Sequence, residues 1–357
     1  MALTRRKFVL FAAAAVMLSV LLTLVVALAA DLYLHQRAEK SAGLNRWGYR
    51  GPVAGRKQAG ELRVVMLGGS TAFGYGVTWD EAIPARLERE LNASGGAPFS
   101  VVNLGFNNEG VYSFLPTLQD YESLDYDLVV LYEGYNDLFG DQAPNLAVYR
   151  HESVVFRLTG YFPILPLALN EKALALRHGS LDAAYAAIRR EPGATTVFRP
   201  GLASRTSATA LEAAESVSNA LGRQLGRFAA QPSAAPHASE AGCATPWSHY
   251  CDSVFAAARH AAERGKAVAI VGQPLLASDG REPHRLQQQA LADMVRRKFA
   301  GSPRVRYVDL TGTVNLADST IAFDGMHLNA GGNAMVARAL APAVRELTTA
   351  VGTAASR

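Results

Sequence analysis

From Glu61 onward, short apolar runs alternate with stretches in which apolar residues return every three or four positions. The runs at 64–67, 100–104, 128–132, 267–271 and 305–310 are β-branched or leucine-rich, the pattern of strands buried on both faces. Between the first two runs, Ile83, Leu87 and Leu91 fall on one helical face, with Arg86, Glu88, Arg89 and Glu90 mostly on the other and Asp80 placed to cap the start. A last helix begins near Asn329 and the pair Gly331 and Gly332, and continues through Met335, Val336, Leu340 and Val344. Strands alternating with helices in this way predict a parallel sheet covered on both faces, a three-layer α/β/α sandwich.

The N-terminus has a different pattern. Residues 8–30 are apolar or small throughout, interrupted only by Ser19 and Thr23, and are long enough to cross a bilayer as a helix. Arg5, Arg6 and Lys7 precede them, which by the positive-inside rule keeps the N-terminus in the cytoplasm and sends the remainder outward, to the periplasm or cell exterior. The small residues around Leu28 also have the form of a signal-peptidase site, so secretion after cleavage is the alternative. The apolar run exceeds the usual ~7–15 residues of a signal h-region, which favours an uncleaved anchor. Residues 4–10 further resemble a twin-arginine export signal.

Residues 31–60 are polar, without period, and read as a stalk or as an extended segment packed on the domain edge. The interval from about 141 to 262 is too long for one crossover and implies an insertion. Within it, 154–167 is apolar but broken by Gly160, Pro163 and Pro166, and is expected to lie over the functional edge as a lid rather than as one continuous helix. Residues 208–230 read as a charged, alanine-rich helix and 231–241 as a flexible loop. The expected organisation is therefore an anchor at 1–30, a stalk at 31–60, one domain at 61–347 holding the insertion, and a tail at 348–357.

Charge narrows the range of partners. The net charge of +4 over 357 residues comes from scattered Lys and Arg, with no dense basic block, which argues against nucleic acid. The two cysteines, Cys243 and Cys251, are expected to form one local disulfide in an oxidising compartment. His151, His178, His249 and His284 have no ligand-spaced partner, so no metal site is expected.

Candidate chemistry begins where the first strand breaks into Gly68, Gly69, Ser70 and Thr71. Glycines here suggest a phosphate cradle, but those at 68, 69, 74 and 76 do not fit the dinucleotide fingerprint, and the Gly-Lys-Ser/Thr of a P-loop is absent. The nucleophile elbow of α/β-hydrolases fails as well, because position 72 is Ala. In an open parallel sheet the site lies along the C-terminal strand edge. There the second strand ends at Gly105, the third leads to Asn136, and the loop after the fifth holds Asp324 and His327.

Taken together, the blocks around Ser70, Gly105, Asn136, and Asp324 with His327 resemble the SGNH hydrolase superfamily, the GDSL-like esterases and lipases, in residue type and in order. The first block departs from the name motif, with Gly-Gly-Ser-Thr in place of Gly-Asp-Ser-Leu. The resemblance implies a flavodoxin-like five-stranded fold and hydrolysis of carboxylic esters, O-acetyl or acyl esters of a saccharide or lipid, through an acyl-Ser70 intermediate and without a cofactor. It assigns the base to His327, its orienting acid to Asp324, and oxyanion donors to the backbone N–H groups of Ser70 and Gly105 and the amide of Asn136. Transfer of an acyl group to a cell-surface polysaccharide is the alternative, and a carbohydrate-binding scaffold without catalysis a more distant one. Tyr75, Trp79 and Tyr135 either line the acyl pocket or belong to the core. Asp137 reads as a helix cap, and Asn103, Asn107 and Asn108 as partners of loop backbone.

Overall fold

All five apolar runs are strands in the computed structural model of the chain, which describes residues 5–93, 95–107, 109–132, 134–138, 153–179, 240–277 and 280–355. They are β1 (Leu62–Gly68), β2 (Phe99–Asn103), β3 (Leu128–Tyr132), β4 (Ala267–Gly272) and β5 (Val305–Asp309). Every pairing is parallel, in the order β2-β1-β3-β4-β5. The central strands are apolar apart from Arg63 near the start of β1, because alternate side chains enter two different cores. On one face Val64, Met66, Leu128, Val130, Ala267 and Ala269 pack with Ile83, Leu87 and Leu91 of α3 (Ile83–Asn92) and with Val336, Leu340 and Val344 of α9 (Ala330–Ala355). The opposite face is covered by α4 (Phe114–Asp120), α7 (Ser248–Glu263) and α8 (Arg281–Lys298). The edge strands are more open, with Arg306 and Asp309 of β5 exposed.

The chain separates into two units. One comprises Met1–Ser41 with Phe162–Ala229, the other Ala42–Tyr161 with Ala230–Arg357. In the first, α1 (Arg5–Ala42) begins and exposes apolar side chains on all sides, and it is long and apolar enough to be a membrane anchor or a signal sequence. At 38 residues it would measure about 57 Å, more than a ~30 Å hydrocarbon core requires. Its far end also holds the start of α6 (Leu165–His178): the Asp31 carboxylate accepts the Leu165 N–H at 2.6 Å, and the His35 ring donates to the Phe162 carbonyl at 2.6 Å.

Three boundaries differ from the sequence expectation, and of its two readings of residues 31–60 the packed segment holds for the part after the helix. The helix continues through Ala42, because Asp31–Ala42 retains good helix formers and no Pro or Gly stops it before Gly43. The rest of the expected stalk is packed: Leu44, Asn45, Tyr49 and Arg50 are buried, and Arg50 bridges Asn103 at the end of β2. Within the expected insertion, α7 belongs to the sheet unit, and the expected C-terminal tail is mostly the end of α9, which runs to Ala355. The expected helix at 208–230 and nearly all of the expected loop at 231–241 lie outside the described residues. Cys243 and Cys251 are disulfide-bonded.

The expected lid is divided between the units. Gly160, in the left-handed conformation, ends α5 (Val154–Thr159), and Pro166 opens α6. The Phe156 ring lies 5.5 Å from that of Tyr121, whose hydroxyl donates to the Trp47 carbonyl, and Gly160 sits against the Trp47 ring. The contacts described for this stretch of the sheet unit include Trp47 and Tyr121.

Candidate active site

β1 and β3 are neighbours while β2 lies on the far side of β1, so the chain leaves β1 in one direction and returns to β3 in the other. At this switch point the sheet opens a crevice at its C-terminal edge. Ser70 follows β1 as the first residue of the single-turn helix α2 (Ser70–Phe73), where its N–H has no intrahelical acceptor. Thr71, Ala72 and Phe73 are buried and fix the turn from below, and Gln273 at the end of β4 donates to the Thr71 hydroxyl at 3.2 Å.

From the other end of the sheet, the loop after β5 brings His327. It is closed by a bridge between Ala322 and Leu328 and by the Phe323 N–H donating to the His327 carbonyl at 2.8 Å. Gly325, at φ 78°, takes the left-handed conformation this tight reversal needs. Asn329 then caps α9, its side-chain oxygen accepting the N–H groups of Gly331 and Gly332. In this frame Ser70 Oγ lies 2.8 Å from His327 Nε2, and His327 Nδ1 lies 2.7 Å from Asp324 Oδ2.

The Asp324 carboxylate can only accept, so it fixes the imidazole with hydrogen on Nδ1 and leaves Nε2 to accept from the serine hydroxyl. Its other oxygen accepts the N–H groups of Met326 at 3.1 Å and His327 at 2.8 Å. Partial burial pushes this carboxyl up, but the hydrogen bonds and the imidazole outweigh that and hold it below the usual carboxylate range. It therefore stays ionised at neutral pH. A hydroxyl, an imidazole and a carboxylate in series can move a proton off the serine and stabilise the resulting imidazolium.

Gly105 and Asn136 come to the same edge. A β-carbon on Gly105 would lie 2.8 Å from the Phe73 backbone nitrogen and 2.9 Å from the Ala72 β-carbon, so this position must be glycine to let the loop pack on the Ser70 turn. The Gly105 N–H donates to Asn103 Oδ1 at 3.0 Å and is not free in this state. Asn136 donates from its amide to the Glu109 carbonyl at 2.8 Å, which ties the β3 loop to the β2 loop. Gly134, two residues earlier, approaches the buried amides of Gln273, Gln287 and Gln288, and its carbonyl accepts from Gln287 at 3.0 Å.

Asp137 acts as a cap, though for a distant element: its carboxylate accepts the Val111 N–H, 3.1 Å away, at the start of the 3₁₀ turn Val111–Ser113. Burial pushes its pKa up to about 7, with the Val111 hydrogen bond opposing. The native state then keeps a proton that the unfolded chain releases near ~3.9, so stability is greatest below that value and falls as pH rises toward about 7. Asp137→Asn retains an acceptor for Val111 and removes this titration. Its melting temperature should decline less than that of the wild type between those two pH values; parallel curves from scanning calorimetry would contradict the assignment.

Of the aromatic candidates, Tyr75 is at the site, 54% exposed with its ring 4.9 Å from the His327 ring. Tyr135 is core, donating its hydroxyl to the Pro274 carbonyl and packing on His284, and Trp79 packs on Gly43 and Gly51. Phe323, 56% exposed and against Gly76, was not anticipated. Nor were Arg50 and Gln273. Among the described residues no three His, Cys, Asp or Glu side chains converge as metal ligands.

The fold and site define a serine hydrolase of the three-layer α/β/α class. The GDSL-like lipase/acylhydrolase family profile matches residues 66–253, more than half of the chain. This protein belongs to that family, within the SGNH superfamily its motifs resemble, and its general activity is ester hydrolysis. No match was found among curated proteins. Similar solved structures include the family 3 carbohydrate esterase of Clostridium thermocellum, at 13% identity over 81% of this chain and 98% of that one, TM-score 0.40. Another is a catalytic mutant of an acetylxylan esterase from Geobacillus stearothermophilus, at 11% identity over 80% and 94%, TM-score 0.41. A third is the psychrotrophic esterase EstA from Pseudoalteromonas sp., at 10% identity over 80% and 98%, TM-score 0.39. Likenesses this distant carry no argument about substrate.

Proposed function

We propose that the protein is a membrane-anchored esterase in which Ser70 attacks the carbonyl carbon of an acyl or O-acetyl ester. The observation that carries this reading is the pair of hydrogen bonds joining Ser70 Oγ to His327 Nε2 and His327 Nδ1 to Asp324. As the Oγ–carbon bond forms, Nε2 takes the hydroxyl proton and the carbonyl electron pair moves onto oxygen. Collapse of this intermediate expels the alcohol, protonated by His327, and leaves acyl-Ser70. Water, deprotonated by the same base, then releases the acid.

The oxyanion is stabilised by the Ser70 N–H and the Asn136 amide, with the Gly105 N–H as a third donor once it turns from or shares Asn103 Oδ1. Preorganised donors of this kind usually supply the largest single part of such catalysis. The half-exposed Tyr75 and Phe323 offer apolar surface beside His327 for the acyl or saccharide part of the substrate. The apolar helix serves as an uncleaved anchor, with Arg5, Arg6 and Lys7 on the cytoplasmic side and the sheet unit outside.

The reading is tested with p-nitrophenyl esters of increasing acyl length. Preference for acetyl identifies an O-acetyl esterase of saccharides, and preference for long chains a lipid esterase. A labelled Ser70 that hydrolyses no ester but loses its acyl group on addition of a polysaccharide identifies the transferase. No turnover and no acylation at all would overturn the reading.

A further inference from the structure

The turn that presents Ser70 ends almost as soon as it begins, so the carbonyls of Ala72 and Phe73 have no helical N–H to meet them, and those of Gly74, which accepts the Val77 N–H at 3.3 Å, and of Val77 lie in the loop beyond. Two side chains take them up. Arg50 donates from Nη1 to Phe73 at 2.5 Å and Gly74 at 2.6 Å, and from Nη2 to Val77 at 2.5 Å. Asn103 donates to Ala72 and Phe73, each at 3.1 Å, while its oxygen holds the Gly105 N–H. The Arg50 guanidinium also donates to the Ala42 carbonyl at 2.7 Å and lies 4.4 Å from the centre of the Phe73 ring.

Arg50 is 5% exposed, and no carboxylate among the described residues comes within ion-pair distance of it. Burial draws its pKa down to about 10. The Asp80 carboxylate opposes this from beyond ion-pair distance, and all the hydrogen bonds of the guanidinium go to carbonyls, so they must be well made to offset the cost of burying the cation. Three of the four carbonyls bonded by this one lie on the segment directly after Ser70.

We propose that Arg50, braced by Asn103, is the positioning residue of the nucleophile, holding the backbone at 72–77 so that Ser70 Oγ is presented to His327 Nε2. The inference rests on the Ser70 reading above. It makes the segment between the N-terminal helix and β1 part of the catalytic unit. A lysine cannot replace the arginine, because a single ammonium does not reproduce the planar fork that spans several acceptors.

The test uses the full-length chain in detergent micelles. Thermal unfolding, kcat and KM on p-nitrophenyl acetate, and the rate of Ser70 labelling by a fluorophosphonate are measured for wild type, Ser70→Ala, Arg50→Ala and Arg50→Lys. Arg50→Ala should lower kcat and labelling rate together by ~10²-fold, the loss expected when a reacting group is displaced by about 1 Å, with KM nearly unchanged. Low-millimolar guanidinium should restore part of both, whereas urea, planar but uncharged, should not. If Arg50→Ala does not fold, Arg50→Lys carries the test, with a loss in kcat of the same direction.

A folded Arg50 variant with wild-type kcat and labelling overturns the inference. So does a loss that tracks the unfolded fraction and is untouched by guanidinium. Ser70→Ala separates the two readings: if it still hydrolyses esters the nucleophile assignment falls, whereas an inert Ser70→Ala beside fully active Arg50 variants removes only the positioning role.

Discussion

Ser70→Ala should abolish fluorophosphonate labelling, and both Ser70→Ala and His327→Ala should lower kcat by ~10⁶-fold, because nucleophile and base act as one unit. The geometry makes the two losses similar. Ser70 Oγ meets His327 Nε2 at 2.8 Å, the one base in hydrogen-bond reach among the described residues, so either substitution removes the same proton transfer. Neither should disturb the fold. Ser70 is only partly buried, and the His327 loop is closed by its backbone, through the Ala322–Leu328 bridge and the Asn329 cap. The measurement is active-site labelling read by peptide mass spectrometry, alongside p-nitrophenyl acetate turnover. Hydrolysis and labelling that both survive Ser70→Ala would exclude the mechanism.

The next largest effect is expected for Asp324→Asn, a fall in kcat of ~10²–10⁴-fold with KM little changed. The asparagine oxygen can still accept the N–H groups of Met326 and His327, so the loop keeps its shape. Its NH₂ replaces the oxygen that faces His327 Nδ1, and this group donates where the carboxylate accepted. The imidazole answers by moving its hydrogen to Nε2, the nitrogen that must accept the serine proton. Because half of the Asp324 side chain is open to water, solvent softens the loss relative to a buried triad acid. A kcat within a factor of three of wild type would show that Asp324 positions the loop without orienting the base.

The Arg50 and Ser70 variants together distinguish placement of the nucleophile from its chemistry. They bear on where a soluble form can begin, since cutting the chain at Glu61 would remove Arg50 with the expected stalk, while a start at Ala42 would keep it.

The central strands were legible because burial on both faces imposes a local apolar run, and the more open edge strands because enough β-branched residues remain in them to mark the position. The residues around Ser70, Gly105, Asn136, Asp324 and His327 were legible for a related reason: their chemistry resides in residue type, and their order follows the strands. The reach of the N-terminal apolar helix was legible only as far as Ala30, since the polar residues beyond it give no signal separating helix from stalk.

Tertiary structure decided what depends on backbone partners. Arg50 bonds to carbonyls 23 to 27 residues away, and carbonyls are the same in every residue, so no sequence pattern marks them. Gly105 shows the same division. Its residue type could be read, but that it is glycine so the loop can press on Ala72 and Phe73, with its N–H held by Asn103, follows only from two strand ends being brought together. The sequence by itself determined which residue types stand in the loops that follow each strand. How closely those groups meet, and which buried cation and amide hold them there, was set by packing between segments far apart in the chain.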